Sequence, residues 1–218
     1  MVKTAFSHVR HWVFDLDNTL YHPSARLFDQ IEVKMTNYVM QELGVDKAEA
    51  DHLRSSYWRD HGTTLAGLMR DHNMDPLPYL EAVHDISLDH LPKDPDLAER
   101  IQALPGQRIV YTNGSAPYAK RVLAARGLDG LFHGIYGVED AEFRPKPERA
   151  AFDMVFEKAG IQSQNAAMFE DDPRNLTAPH AMGMRTVYVA PEPLAPELQS
   201  SHIHHHTDDL AGFLAKVL

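Results

Sequence analysis

The feature that most constrains this chain is an apolar run, Trp12-Val13-Phe14, that breaks abruptly into Asp15-Leu16-Asp17-Asn18-Thr19-Leu20-Tyr21. A short apolar run of this kind reads as a buried strand. Two carboxylates, Asp15 and Asp17, then stand where that strand ends, and in an open α/β sheet ligands bind at the carboxyl ends of strands. An aspartate there can attack an electrophile while its neighbour moves a proton. Asn18 and Thr19 supply turn-forming side chains that can hold both acids. Capping of a loop would also account for this decapeptide taken alone, so the remaining chain has to decide.

Residues 22–95 show helical spacing and no credible strand. Leu27, Ile31, Met35, Val39 and Leu43 recur close to a 3.6 period in a helix expected from Pro23 to Gly44. Asp46 is placed to cap a second helix, Gly62-Thr63-Thr64 precedes a third that fades near Asn73, and Asp75-Pro76 opens a fourth. From Arg108 onward strands alternate with helices. Strands are expected over 108–112, 134–138, 166–169 and 185–189, and helices over 117–126, 148–158, 173–182 and 208–217, with a surface loop at 190–196. This alternation implies an α/β fold with a doubly wound, mostly parallel, Rossmann-like sheet. The expected division is a core of residues 1–21 and 96–218 with an all-helical cap, 22–95, inserted between the first two strands.

The polar residues at the other strand ends are the deciding observation. Thr112-Asn113-Gly114 offers a hydroxyl, an amide and a backbone N–H as an anion cradle, although an ordinary Ser115 helix cap with a turn glycine would leave the same trace. Lys146 stands between Pro145 and Pro147, a stiff mount for a point charge aimed at a phosphoryl group, or a solvated lysine in a rigid loop. Glu170-Asp171-Asp172, followed by Asn175, puts three acids at the end of a buried strand, where they repel one another unless a cation is present. Capping of the helix after Pro173 accounts for Asp172 but not for Glu170 and Asp171. Carboxylates of Asp15 and Asp171 with the backbone carbonyl of Asp17 suit octahedral Mg²⁺.

All four clusters fall at one sheet edge, which defines a metal-assisted phosphoryl-transfer site. In this reading Asp15 is the nucleophile and Asp17 the general acid and base. Thr112, Asn113 and Gly114 bind phosphoryl oxygens, Lys146 and Mg²⁺ neutralise them, and Asp171 holds the metal. Composition agrees: a formal charge of −10 argues against a nucleic-acid partner and requires local positive charge for a phosphate ester. No apolar run is long enough for a membrane span, no secretory signal is evident at the N-terminus, and the absence of cysteine excludes thiolate chemistry, so the cytoplasm is the expected compartment.

Asp15-Leu16-Asp17-Asn18-Thr19, Thr112-Asn113, Lys146-Pro147 and Glu170-Asp171-Asp172 with Asn175 together resemble the four motifs of the haloacid dehalogenase superfamily. The cap stretches Tyr57, His61-Gly62-Thr63-Thr64-Leu65-Ala66-Gly67-Leu68 and Val83-His84-Asp85 are similar to the pyrimidine 5′-nucleotidase subgroup. The resemblance implies Mg²⁺-dependent hydrolysis of nucleoside monophosphates such as UMP and CMP. Two departures stand out: many relatives carry Gly where this chain has Glu170, and a later aspartate where it has Asn175, so the resemblance implies that Glu170, Asp172 and Asn175 support the metal ligands from behind. Asp17 sets the chain apart from true dehalogenases, which have no alkoxide leaving group to protonate.

Substrate choice is expected in the cap, with Tyr21, His22, Tyr57, His61, Thr63 and Thr64 around a base and ribose. Trp58 is expected in the cap core. The histidine run from His202 to His206 is broken by Ile203 and leads into a capped last helix; it can pick up Zn²⁺ or Ni²⁺ but is not read as catalytic. Two rival readings remain: another small phosphomonoester such as a sugar phosphate, with mutase activity as a variant, and a non-catalytic binder of nucleotide or protein. The intact set Asp15, Asp17, Lys146 and Asp171 speaks against the binder.

Overall fold

The computed structural model describes residues 2–195 and 201–218. Six strands form one parallel sheet in the order β3-β2-β1-β4-β5-β6, where β1 is His11–Phe14, β2 Gln107–Tyr111, β3 Gly134–Tyr136, β4 Ala166–Glu170, β5 Arg185–Val189 and β6 His205–Thr207. Side chains alternate between the two faces, as the pleat requires. Trp12, Phe14, Val110 and Phe169 face one layer, and Val13, Ile109, Tyr111 and Met168 the other. The first face is covered from α1 (Val2–Phe6), α6 (Pro95–Ala103), α7 (Ala116–Arg126) and α10 (Leu210–Val217), through Phe6, Ile101, Val122 and Phe213. The second is covered by α8 (Arg149–Ala159) and α9 (Thr177–Ala181), through Phe152, Val155, Phe156 and Ala178. Burial on both faces is why these strands read as continuous apolar runs. Phe14 stacks on Phe169 with centroids 4.7 Å apart, which ties β1 to β4 on the first face.

Strand order reverses between β1 and β4, so a crevice opens there at the carboxyl ends. The register levels the strand ends: Phe14 pairs with Val110 on one side and with Phe169 on the other. Asp15, Thr112 and Asp171, which follow these strands, therefore emerge side by side.

Between β1 and β2 the chain builds α2 (Leu27–Leu43), α3 (Lys47–His61), α4 (Thr64–His72) and α5 (Pro76–His84). Their boundaries have local causes. The Asp46 and Thr63 side chains accept from Glu49 N and Ala66 N at the starts of α3 and α4, and Gly44 ends α2 in the left-handed region. Gly67 lets α4 lie directly on α3: a Cβ there would come within 2.1 Å of the Tyr57 ring. Arg126 of α7, 7% exposed, donates to the Leu20 carbonyl at 3.1 Å, to the Pro92 carbonyl, and to Asp94 at 2.6 Å. One buried guanidinium thus pins both chain segments that join the helices to the sheet.

The expected first helix is divided: a 3₁₀ turn, Pro23–Ala25, is separated from α2 by Arg26 at φ 52°. The expected strand over 134–138 ends at Tyr136, because a 3₁₀ turn, Val138–Ala141, follows. The helix over 173–182 is a 3₁₀ turn, Pro173–Leu176, followed by α9. The elements α1, α6 and β6 carry no expectation from the sequence. Residues 190–195 have no regular structure, and residue 196 of that loop lies outside the described residues. Among the described residues no helix is long and apolar enough to cross a membrane.

Candidate active site at the carboxyl edge of the sheet

Lys146 is the hub. Its side chain is 1% exposed, which excludes a solvated loop lysine. Nζ donates to Asp15 Oδ1 at 2.7 Å, to Glu170 Oε2 at 2.7 Å and to the Tyr111 carbonyl at 3.1 Å. Burial disfavours the ammonium, but Asp15 and Glu170 outweigh it and hold the group charged. The loop carrying Lys146 is fixed by Asn113: its Oδ1 accepts from Lys146 N at 2.8 Å and its Nδ2 donates to the Lys146 carbonyl at 3.1 Å. The Asn113 amide is therefore committed to positioning the lysine. Thr112 Oγ1 accepts from Gly114 N at 2.9 Å, so that N–H is also taken up within the turn.

Glu170, 1% exposed, is held on its other oxygen by Asn175 Nδ2 at 2.9 Å. Asp172 caps the turn after β4 through Arg174 N at 2.9 Å and pairs with the Arg174 guanidinium at 2.7 Å, so it serves local structure. Asp171 receives the Asn18 amide at 3.3 Å. Burial, then Glu170 and Asp15, raise its pKa well above the usual carboxylate range. Burial and Asp15 push Glu170 upward in the same way, against the opposing pull of Lys146. Oxygens of Asp15, Glu170 and Asp171 lie within 4.8 Å of one another. Three carboxylates around one ammonium leave negative charge in excess, and a hard-oxygen set of this kind fits a divalent cation such as Mg²⁺.

Asp17 Oδ1 accepts from two buried phenols, Tyr21 at 2.6 Å and Tyr118 at 2.8 Å. Burial and the charge of Asp15 raise its pKa to about 6, with both phenols acting in opposition. Behind Tyr118 lies His84, stacked on it at 4.3 Å and within 4°, with Nδ1 3.1 Å from Ser115 Oγ. Burial and then Arg121 depress its pKa to about 4, so the imidazole is neutral.

Helices α2–α5 roof these groups and enclose a chamber of about 910 Å³. Asp15, Asp17, Thr112, Lys146 and Asp171 line its floor, and Phe28, Ile31, Met35, Leu80 and Val83 line its apolar wall.

The family model of haloacid dehalogenase-like hydrolases matches residues 9–183. This chain belongs to that family. Phosphate metabolism protein 8 of Saccharomyces cerevisiae is 29% identical over 187 residues, covering 78% of this chain and 58% of that protein. The chain thus spans little more than half the length of this relative. Among solved structures, the HAD-hydrolase YfnB of Bacillus subtilis, bound to magnesium, is 17% identical at TM-score 0.61, over 96% of this chain and 98% of that one. CbbY of Rhodobacter sphaeroides, in complex with xylulose 1,5-bisphosphate, is 15% identical at TM-score 0.65, over 93% and 95%. At these identities the two structures show the shared fold.

Within this chain the four strand-end clusters meet at one site, but the residues expected around the substrate divide. Thr63 and Thr64 line the chamber. Tyr57 does not: it is 6% exposed, packed on Gly67, with its hydroxyl 2.7 Å from His72 Nε2. His61 packs beside Tyr57 and faces Arg70, and His22 caps the turn before α2 through Ser24 N. Tyr21 is spent on Asp17. Trp58, expected in the core of the helices, is instead 52% exposed at the chamber mouth, with the Arg174 guanidinium 3.6 Å over its ring. Tyr118 and His84 are site neighbours that sequence reasoning did not assign; a long-range hydrogen bond to Asp17 leaves no local pattern. The histidine run is structural: His204 Nδ1 accepts from Thr186 N at 3.1 Å, and the His205 ring packs on Phe6 and Phe213.

Proposed function

We propose that this chain is a cytoplasmic, Mg²⁺-dependent phosphomonoesterase that hydrolyses pyrimidine nucleoside 5′-monophosphates, UMP and CMP, to nucleoside and phosphate. The observation that carries the reading is the pairing of Asp15, on the Lys146 ammonium, with Asp17 two residues on, whose burial raises its pKa to about 6, beneath a chamber roofed by residues 22–95 acting as a cap. Asp15 attacks phosphorus while the bond to the ester oxygen breaks, and Asp17 delivers its proton to that oxygen. The phosphoryl group is then an acyl phosphate on Asp15. Asp17, now a carboxylate, takes a proton from water as the water oxygen attacks phosphorus. The bond to Asp15 breaks and phosphate leaves.

The residues that would hold Mg²⁺ are Asp15, Asp171 and the Asp17 backbone carbonyl, and bound there it supplies positive charge to the phosphoryl oxygens. Lys146 neutralises the floor, Thr112 and Gly114 border the phosphoryl group, and Asn113 acts through Lys146 by fixing its backbone. Tyr21 and Tyr118 keep the Asp17 carboxyl on one rotamer, facing the leaving oxygen. A base accounts for the apolar wall; a sugar phosphate, as in the CbbY complex, would leave Phe28, Ile31, Met35, Leu80 and Val83 against hydroxyls. The cap contacts that choose the base are Thr63 and Thr64.

The test is phosphate release from UMP, CMP, their deoxy forms, AMP, GMP and two sugar phosphates, with Mg²⁺ and with EDTA. Mg²⁺-dependent turnover led by UMP and CMP supports the reading. Turnover confined to sugar phosphates rejects the substrate, and no turnover at all rejects the enzyme in favour of a binder.

A further inference from the structure

The two oxygens of the Asp17 carboxyl have different surroundings. Oδ1 accepts from Tyr21 at 2.6 Å and from Tyr118 at 2.8 Å, and both phenols are buried. A carboxyl oxygen offers two lone pairs, so two donors fill it. Oδ2 takes no hydrogen bond from the described residues, is not sealed from solvent, and belongs to a side chain that lines the chamber. A proton on Oδ1 would displace one phenol and leave its buried hydroxyl unpaired, at the full cost of desolvating that group. The proton that Asp17 exchanges therefore sits on Oδ2.

Tyr118 is itself held from the roof. His84, the last residue of α5, lies flat on the Tyr118 ring, with centroids 4.3 Å apart and planes within 4°. Its Nδ1 is 3.1 Å from Ser115 Oγ, the oxygen that caps α7 by accepting from Tyr118 N at 3.4 Å. Arg121, one turn along α7 from Tyr118, donates to the His84 carbonyl at 2.9 Å and to the Ile86 carbonyl at 2.8 Å. The end of α5 is thus clamped onto the helix that bears Tyr118. The ring pair also lies against the turn after β2: a Cβ at Gly114 would come within 3.2 Å of Tyr118 and 3.4 Å of His84 Nε2.

We infer that His84 is a positioning residue for protonation of the leaving group: from the roof it holds Tyr118 on Asp17 Oδ1, which leaves Oδ2 to deliver the proton. The inference rests on the phosphomonoesterase reading with Asp17 as the acid, and deepens it. As the ester bond breaks, its electron pair stays on the leaving oxygen, the Oδ2–H bond breaks, and the proton joins that oxygen. Oδ2, now part of a carboxylate, takes a proton from the attacking water in the second step. Misplacing such a group by about 1 Å can cost about a hundredfold in rate. Because α5 belongs to the roof, the acid is aimed only while the roof is seated on α7.

The experiment measures kcat/KM, which reports the steps up to loss of the leaving group, for phenyl phosphate and p-nitrophenyl phosphate. The two esters are close in shape, but nitrophenolate departs without a proton and phenolate gains from one. The proposal predicts that the phenyl to p-nitrophenyl ratio falls about tenfold in His84→Ala. It predicts recovery towards wild type in His84→Phe, which restores a flat ring on Tyr118, and a fall like that of His84→Ala in Tyr118→Phe, which keeps the stack and loses the hydroxyl. A side chain that only supports the fold would lower both esters alike. An unchanged ratio in His84→Ala, or a fall that His84→Phe does not recover, overturns the inference. Should His84→Ala not fold, His84→Leu, which fills the space without a flat ring, replaces it with the same expectations. Asp17→Asn separates the inference from the reading beneath it. If Asp17→Asn leaves the ratio unchanged, Asp17 is not the acid and that reading fails; if it lowers the ratio while His84→Ala does not, the inference alone fails. No turnover of either ester by wild type overturns both.

Discussion

Replacing Asp171 with Asn is expected to stabilise the metal-free protein while removing its response to Mg²⁺. Oxygens of Asp15, Glu170 and Asp171 lie within 4.8 Å of one another. At an effective dielectric of about 20, two unit charges at such a separation repel by about 3.5 kcal/mol. Lys146 pairs with Asp15 and Glu170 at 2.7 Å each, whereas Asp171 receives the neutral Asn18 amide at 3.3 Å. Asp171 thus meets two repulsions, part of which protonation relieves, since its folded pKa is raised above the unfolded value. Such a group destabilises the fold above its folded pKa, and the penalty fades as pH falls through that value. Where Asp171 is ionised, Asp171→Asn should therefore gain about 2 kcal/mol in EDTA, or about 4–8 °C in melting temperature for a chain of this size. The advantage should shrink on acidification. Mg²⁺ at about a hundredfold its Kd should add about 2.7 kcal/mol to wild type and far less to the variant. Urea unfolding with EDTA or Mg²⁺ at pH 8 and pH 5 measures all of this. A variant less stable than wild type in EDTA, or one protected equally by Mg²⁺, would refute the electrostatic reasoning.

Two further substitutions probe the packing around the site. His84 is buried with its pKa lowered from 6.5 to about 4, so the unfolded chain takes up a proton that the folded one refuses. Wild type should lose up to about 3 kcal/mol between pH 6.5 and 4 that His84→Gln does not, seen as the difference between their stability–pH curves. Gly67→Ala puts a methyl 2.1 Å from the Tyr57 ring and should cost about 2 kcal/mol, read as a lower urea midpoint at unchanged slope.

Much of the fold was legible because its signals are local. The apolar runs of β1, β2, β4 and β5 and the Gly or Asp caps at Gly44, Asp46, Gly127 and Gly160 act over a few residues. The strand-end acids, Lys146 and Thr112 were legible for another reason: a parallel sheet brings consecutive strand ends to one edge, so order along the chain becomes adjacency in space. The short β6 and α1 have little periodicity to read, and the last helix read before β2 opens at Asp75-Pro76, short of α6. The roof defeated sequence reasoning. Tyr57 and Trp58 are adjacent aromatic residues of α3, yet one packs on Gly67 and the other stacks under Arg174 at the mouth. Their partners are fixed by how α3, α4 and the turn after β4 meet, which no spacing within a helix records. Asn113 has the same lesson: its residue type suits a phosphate, and its geometry serves the lysine.

The central claim is that Asp15 carries the phosphoryl group covalently. The direct measurement is rapid acid quenching of enzyme mixed with UMP labelled in its phosphate, followed by peptide mapping. The account predicts label on the peptide containing Asp15 in wild type and none in Asp15→Asn. Label absent from wild type during active turnover, or retained in Asp15→Asn, would contradict it.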